Sequence, residues 1–413
     1  MHSMSDDKAL IAHLLRRTGF GPHPGQVEDL AKAGYPAALE QVLVAAPLSI
    51  DQPTLGTKDD EGYLIRWWLD IMAKPEAGLH EKMVWFWHGH LTSSVDKAEP
   101  VAVARQHQLL RNHALGNARQ LFQDITVDAA MLGWLDGASS SAEAPNENYG
   151  RELMELFALG REFNGAATYT LADVRAAAYA LSGWEVDGEK ASQVSFKADS
   201  GPSKSVQFLG TTVSGAKDVV NTVCDHPAFA PHIARKLYHF FHGVPPDAAT
   251  LARLADGFRS SALEIRPLVA EILRDASFVE HRLNRPRFPI EWALATAAVL
   301  GTDKEADLRD LLNTLGQVPF TPPNVAGWPI SPRWLSAGAA MTRASWALEH
   351  SADTEVTATS DPVAWILDRA SLYEVSDATK SALAKAAAKL TSKRERASAL
   401  HALAVSSPEF ALA

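Results

Sequence analysis

The stretch Asn146-Glu147-Asn148-Tyr149-Gly150-Arg151-Glu152-Leu153-Met154-Glu155 sets five polar side chains on what reads as one helix start. At about 100° per residue, Glu147, Arg151, Glu155, Asn148 and Glu152 fall within roughly 140° of the circumference. Tyr149, Leu153, Met154, Leu156, Phe157 and Gly160 cover most of the rest. A helix apolar over so wide an arc is ordinarily buried, and buried charges without partners cost several kcal/mol. The stripe must therefore face a cleft, a partner or its own ion pairs. As a cleft it offers catalytic groups: Glu152 and Glu155 as general acid and base or as metal ligands, with Arg151 and Asn148 orienting a substrate. As a structural device it is an i,i+4 ladder, Glu147–Arg151–Glu155, with Asn146 as N-cap.

His88-Gly89-His90 offers a second kind of chemistry. In an extended segment, histidines at i,i+2 project to the same side, a geometry usable by a divalent metal such as zinc, copper or iron. At a helix C-terminus they would instead cap carbonyls, while Trp85, Phe86 and Trp87 fill a core. His80-Glu81 is followed by Val84, so no His-Glu-x-x-His motif is formed.

The polar run Arg105, Gln106, Arg111, Asn112 and His113 reads either as a solvated face or as a source of substrate-binding groups. In the second case Arg105 supplies an anion-binding guanidinium, or His113 a proton relay. Residues 319–334 contain five prolines along with Trp328 and Trp334. Exposed, these indoles would bind a sugar or another flat substrate; buried, they would plug a seam between lobes. Cys224, the one cysteine, is open to a nucleophilic role, although a lone cysteine near a helix start is usually a small core residue.

The elements that must position these groups are mostly helical. Apolar residues recur at three- and four-residue spacing through 8–17, 26–46, 62–73, 100–135 and 147–160. Thr170-Leu171-Ala172-Asp173 starts another helix with a capping-box-like pattern. Gly, Ser and Val enrichment makes 187–213 a loop or short hairpin. Helical patterning resumes at 215–224, 228–242, 248–258, 263–275 and 289–300, then at about 335–350, 361–370 and 376–406. The fold class is all-α: a first lobe at 1–186, a polar or β excursion at 187–214 and a second lobe at 215–413.

The chain has 413 residues and a formal net charge of −10, which disfavours a general nucleic-acid binder. A single cysteine excludes internal disulfides and multi-cysteine metal sites. No run of about 18 apolar residues suggests a membrane span. The first residues lack a signal-peptide pattern, so the chain reads as cytoplasmic unless a leader has been removed. Walker A, dinucleotide-binding, Gly-x-Ser-x-Gly and EF-hand patterns are missing from the sequence.

Several blocks together resemble one bacterial family. They are His13-Leu14-Leu15-Arg16-Arg17-Thr18-Gly19-Phe20-Gly21, Trp85-Phe86-Trp87-His88-Gly89-His90, His113-Ala114-Leu115-Gly116-Asn117, residues 146–160, Tyr169-Thr170 with Asp173-Val174, and Leu181-Ser182-Gly183-Trp184. Pro323-Asn324-Val325-Ala326-Gly327-Trp328-Pro329 and Ser407-Pro408-Glu409-Phe410 complete the set. In this order they are similar to the "domain of unknown function 1800" family over nearly the whole chain. The resemblance implies a mostly helical bacterial protein, often exported and often encoded beside a sulfatase-like partner. Two features depart from it: the export signal is missing, and Ala198 stands where the family pattern often has a histidine.

These observations lead to two expectations. The first is an enzyme, a hydrolase or lyase, whose carboxylate/Arg/His cleft acts on a glycan-like or other polar polymer by acid–base or metal-assisted chemistry. The second is a non-enzymatic helical partner or scaffold for another protein, with the stripe as an ion-pair ladder.

Overall fold

The computed structural model describes residues 4–56, 59–187, 192–302, 305–351 and 354–413. The protein is predominantly helical, with three two-stranded antiparallel sheets among the described residues. One of these hairpins falls within the excursion expected near 187–213, and another straddles its start. Trp184–Val186 pairs with Val194–Phe196, and Val206–Phe208 pairs with Thr211–Val213. Residues 188–191 of that excursion lie outside the described residues.

Local chemistry explains where helices begin and break. Thr170 caps Leu171–Ala180 through a full capping box with Asp173. The long patterns expected at 26–46 and 100–135 are each divided. Gly34, at φ +82°, separates Gln26–Ala31 from Tyr35–Val44. Asn117 and Asp128 each accept a backbone N–H and start the new helices Ala118–Thr126 and Ala129–Trp134. Ser392 does the same within 376–406, starting Lys393–Val405.

Buried apolar residues form one contiguous cluster running from Ile11 to Phe410, drawing side chains from both sides of the excursion. Inside it sits a compact charged group. Glu291, near the start of Pro289–Leu300, pairs with Lys82 and accepts two bonds from Arg285, at 2.8 and 3.0 Å. It also accepts the Phe288 N–H at 3.0 Å, and Lys82 donates onward to the Gly19 carbonyl at 2.7 Å. Lys82, Arg285 and Glu291 are each at most 1 % exposed, so all of this compensation is internal. Among the described residues, no helix is long and apolar enough to cross a membrane.

Candidate functional site

The stripe opens as a short α-helix, Glu147–Glu152, capped by the Asn146 side chain, and continues as a π-helical turn, Leu153–Ala158. One extra residue per turn rotates the downstream side chains, so Arg151 and Glu155 do not form the expected i,i+4 pair. Arg151 instead pairs with Glu147 at 2.8 Å, and Arg175 approaches the same carboxylate at 3.5 Å. Glu155 accepts Arg161 Nε at 2.7 Å and the Tyr169 hydroxyl at 2.8 Å. The Arg161 hydrogen bonds hold its carboxyl below the usual range. Asn148 is exposed and donates to Asp136 at 3.3 Å. Glu152 has its pKa raised by burial and by the nearby Glu155 charge.

His88 and His90 require a correction. They lie on a helix, Leu79–His90, rather than in an extended segment, so i,i+2 sends them to different surroundings. The His88 ring accepts the Phe320 N–H at 3.0 Å and packs against Trp68 and Phe320. Burial lowers its pKa to about 3. His90 Nε2 meets the Phe157 carbonyl at 2.8 Å, and His232 Nε2 meets the Leu156 carbonyl at 3.1 Å. Both carbonyls belong to the last residues of the π-turn, so these two rings cap the end of the stripe helix. Of the 88–90 segment, His90 thus reaches the backbone just beyond 147–155, at Phe157, while Glu147 and Glu155 pair elsewhere. Among the described residues, no group of three His, Cys, Asp or Glu side chains is placed to hold a metal ion.

The 319–334 segment is also corrected: its indoles are not exposed platforms. Trp328 is 9 % and Trp334 4 % exposed. Trp334 donates to the Pro329 carbonyl at 3.0 Å, and Trp328 stacks on Trp85 with centroids 5.2 Å apart. The segment is laced onto the Leu79–His90 helix and the residues after it. Val95 N–H donates to the Phe320 carbonyl at 3.0 Å, and Thr92 Oγ1 to the Val325 carbonyl at 2.8 Å. Gly327, at φ +70°, makes this docking possible, because a Cβ there would collide with the Gly89 carbonyl oxygen.

Arg105 is exposed and donates to the Ser192 carbonyl at 3.3 Å. Its run divides: Gln106 and Arg111 are buried, Arg105 and Asn112 are exposed. His113 pairs with Asp124 at 2.8 Å. Arg111 bonds the buried Glu81, which also accepts the Trp68 indole N–H at 2.7 Å. Cys224 is buried, with its thiol pKa pushed up to about 12 by burial, which suits a core residue.

The docked Trp segment does create a cavity of about 340 Å³, within the range of small-ligand sites. Its wall includes Trp85, His90, Lys236, His239, Gln317 and Trp328. Lys236 and His239 come from Phe229–His242, where His232, Lys236 and His239 recur at four- and three-residue spacing and share a face. That spacing is the sequence signal for Lys236 and His239, which join His90 and Trp328 from the motifs already singled out.

The electrostatics of this wall are one-sided, because the lining contains no carboxylate. Burial lowers the pKa of His90, and the Lys236 and His232 charges push it further down. Burial likewise lowers Lys236, and lowers His239 with help from the Arg285 charge. A carbonyl can only accept, so the Phe157 contact fixes the His90 proton on Nε2 and leaves the lone pair on Nδ1. Among the described residues, no hydrogen bond or ion pair falls to the Lys236 amine, although the residue is exposed and lines the cavity.

No curated protein and no solved structure matches the chain. The family model "Protein of unknown function (DUF1800)" matches residues 13–412, nearly the whole chain, and on that match the protein belongs to this family.

Proposed function

We propose that the protein is an acid–base enzyme, a hydrolase or lyase acting on a glycan-like substrate, with its site in the Trp328-walled cavity. The observation that carries this reading is His90, which lines the cavity with its tautomer held by a π-turn carbonyl. A neutral imidazole with a defined lone pair can accept a proton, and the depressed pKa keeps that lone pair free at neutral pH while making the base a weak one. His239 is the second proton-transfer group on the same wall. In this reading the Glu147–Arg151 and Glu155–Arg161 pairs support the structure, and Glu152 is the carboxylate of the stripe closest to an acid's character.

The test is turnover of neutral, uronate-bearing and sulfated oligosaccharides followed by mass spectrometry. His90→Ala should lower turnover by about 10²–10⁴-fold, the usual range for a general base, while Glu155→Gln keeps it. The opposite pattern would move the chemistry to the stripe.

A second reading, a helical partner for another protein, is supported by exposed apolar side chains around Ala337–His350. Met341 is 72 %, Leu348 52 % and Leu335 42 % exposed. No turnover of any oligosaccharide would favour that reading.

A further inference from the structure

A second cavity, of about 480 Å³, shares no lining residue with the Trp328-walled one. Its floor comes from the first family-like block, through Leu15, Thr18, Gly19, Phe20 and Gly21, and from the Pro289–Leu300 helix, through Leu294, Ala295 and Ala298. Gly21 sets the fit between the two. Its φ is +125°, and a Cβ there would lie 2.7 Å from the Cβ of Ala295. The Gly19 carbonyl accepts the Lys82 ammonium, which ties the floor to the buried charged group around Glu291. The floor thus belongs to the packed interior, and the space is preformed.

Polar groups in the lining are either engaged or at the mouth. Thr18 Oγ1 donates to the Leu14 carbonyl at 2.8 Å, Gln26 Oε1 accepts the His23 N–H at 3.1 Å, and Asp29 pairs with Lys32 at 2.7 Å. Gln41, Lys74 and Glu76 are exposed, which puts them at the opening. The wall that keeps accessible surface is otherwise apolar: Leu30, Val42 and Ala298 are half-buried, and Ala45, Ala46 and Ala73 are exposed. Water there would lack the several polar partners that hold a buried water, so the space favours an apolar occupant.

The lining also selects a shape. Nine of its residues are glycine or alanine, and of the described lining residues only Phe20 carries a benzene or indole ring, so a planar ligand finds little to stack on. A methylene has about the bulk of a water, whose share of liquid volume is about 30 Å³, so a chain of about ten carbons fits with room left at the mouth. The mouth carries both signs of charge, on Lys74 and Glu76, which favours an uncharged head. We infer that this cavity binds a single unbranched alkyl chain of about ten carbons, its uncharged polar head lying at the mouth. The inference is independent of the Trp328-walled cavity, and absence of oligosaccharide turnover there leaves it standing.

The experiment is isothermal titration of the full chain with 1-hexanol, 1-octanol, 1-decanol, 1-adamantanol and decyl glucoside, each below its solubility or micelle limit. Each buried methylene should tighten binding about fourfold, so every two-carbon step along the alkanols should gain about tenfold or more. Binding of 1-decanol should carry a negative heat-capacity change. 1-Adamantanol folds the same number of carbons into a cage and should bind about tenfold more weakly than 1-decanol. Decyl glucoside should match 1-decanol within about threefold, because its sugar stays outside the apolar wall. Ala298→Phe on the half-buried wall and Ala73→Phe on the exposed one should each weaken 1-decanol about tenfold by occupying its space.

Circular dichroism and thermal melts of both variants separate lost binding from lost folding, and the exposed Ala73 site keeps the test open if Ala298→Phe does not fold. No binding of any alkanol, affinity that does not rise with chain length, 1-adamantanol equal to 1-decanol, or indifference to both variants would overturn the inference. Decyl glucoside failing where 1-decanol binds would overturn the placement of the head. A dimer that Ala73→Phe dissolves, with no alkanol bound, would overturn it in favour of a second copy of the chain at this face.

Discussion

Two polar regions meet at the end of one helix, and they have opposite fates. Along Glu147–Glu152 and the π-turn, charges find partners within a few residues or on the adjoining helix: Glu147 with Arg151, Glu155 with Arg161 and Tyr169. Across the Leu79–His90 and Phe229–His242 helices, Lys236, Gln317 and Trp328 keep donors that the described protein does not use. A dense run of charges in sequence is a good pattern for self-pairing, because its members are already neighbours. A ligand site needs groups whose partners are withheld, and those come from distant parts of the chain. In the proposed reading, charge density marks the scaffold and unmet bonding capacity marks the site.

Acid should break the comparison on the cavity side first. His88 is held at about 3 and His232 at about 4, whereas an unfolded histidine titrates near 6.5. Because the folded values are depressed, their stabilisation is full above pH 6.5 and is lost progressively as pH falls toward 3–4. For His88 alone the loss should reach about 3 kcal/mol by pH 4. Urea melts from pH 7.5 to 4 measure it, and a flat profile would show that these rings are not buried neutral.

Next in size is Glu291→Gln, which strands Lys82 and Arg285 in the core. It should cost about 3–5 kcal/mol. Denaturant unfolding of this variant beside Glu155→Gln compares an interior carboxylate with a stripe carboxylate in one experiment. Similar losses for both would erase the distinction between the regions.

Gly327→Ala tests the docking of the Trp loop. The added methyl meets the Gly89 carbonyl in a left-handed backbone, so about 2–4 kcal/mol should be lost. The near-ultraviolet signal of the stacked Trp85–Trp328 pair should change with it. An unchanged spectrum would mean that the loop reaches its seat by another route.

The smallest effect belongs to Glu155→Gln. Arg161 is exposed, and solvent-screened pairs contribute about 0–1 kcal/mol. A larger loss would promote the stripe from support to something the rest of the fold depends on.

Much of this was legible in the sequence, for reasons that can be named. Asn146 as N-cap, the Thr170–Asp173 box and the hairpins after Trp184 follow from short-range chemistry that needs no tertiary context. The all-α class follows from periodicity, and the family from ordered blocks. His88-Gly89-His90 stayed open between an extended segment and a helix C-terminus because Trp85, Phe86, Trp87 and both histidines are buried together, which leaves no polar face to reveal a helical period. The π-turn was illegible because residue types do not report one added residue in a helix whose flanks are apolar. Trp328 and Trp334 were visible as features, but their burial depends on Gly327 landing on Gly89, a contact between segments more than two hundred residues apart. The His90–Lys236–Gln317 grouping draws on three stretches of chain; the sequence marked His90, but nothing in it brought Lys236 and Gln317 beside it.

The π-turn has one more consequence, and it concerns insertions and deletions rather than substitutions. A π-turn is an ordinary helix carrying one surplus residue. Removing a single residue from 153–158 would let the coil close to its regular pitch and would shift the backbone groups of the wide turn. The same deletion would displace the Leu156 and Phe157 carbonyls that seat His232 and His90. The length of this segment is thus what the two imidazoles read, alongside the buried Leu153, Met154 and Phe157 side chains that anchor it.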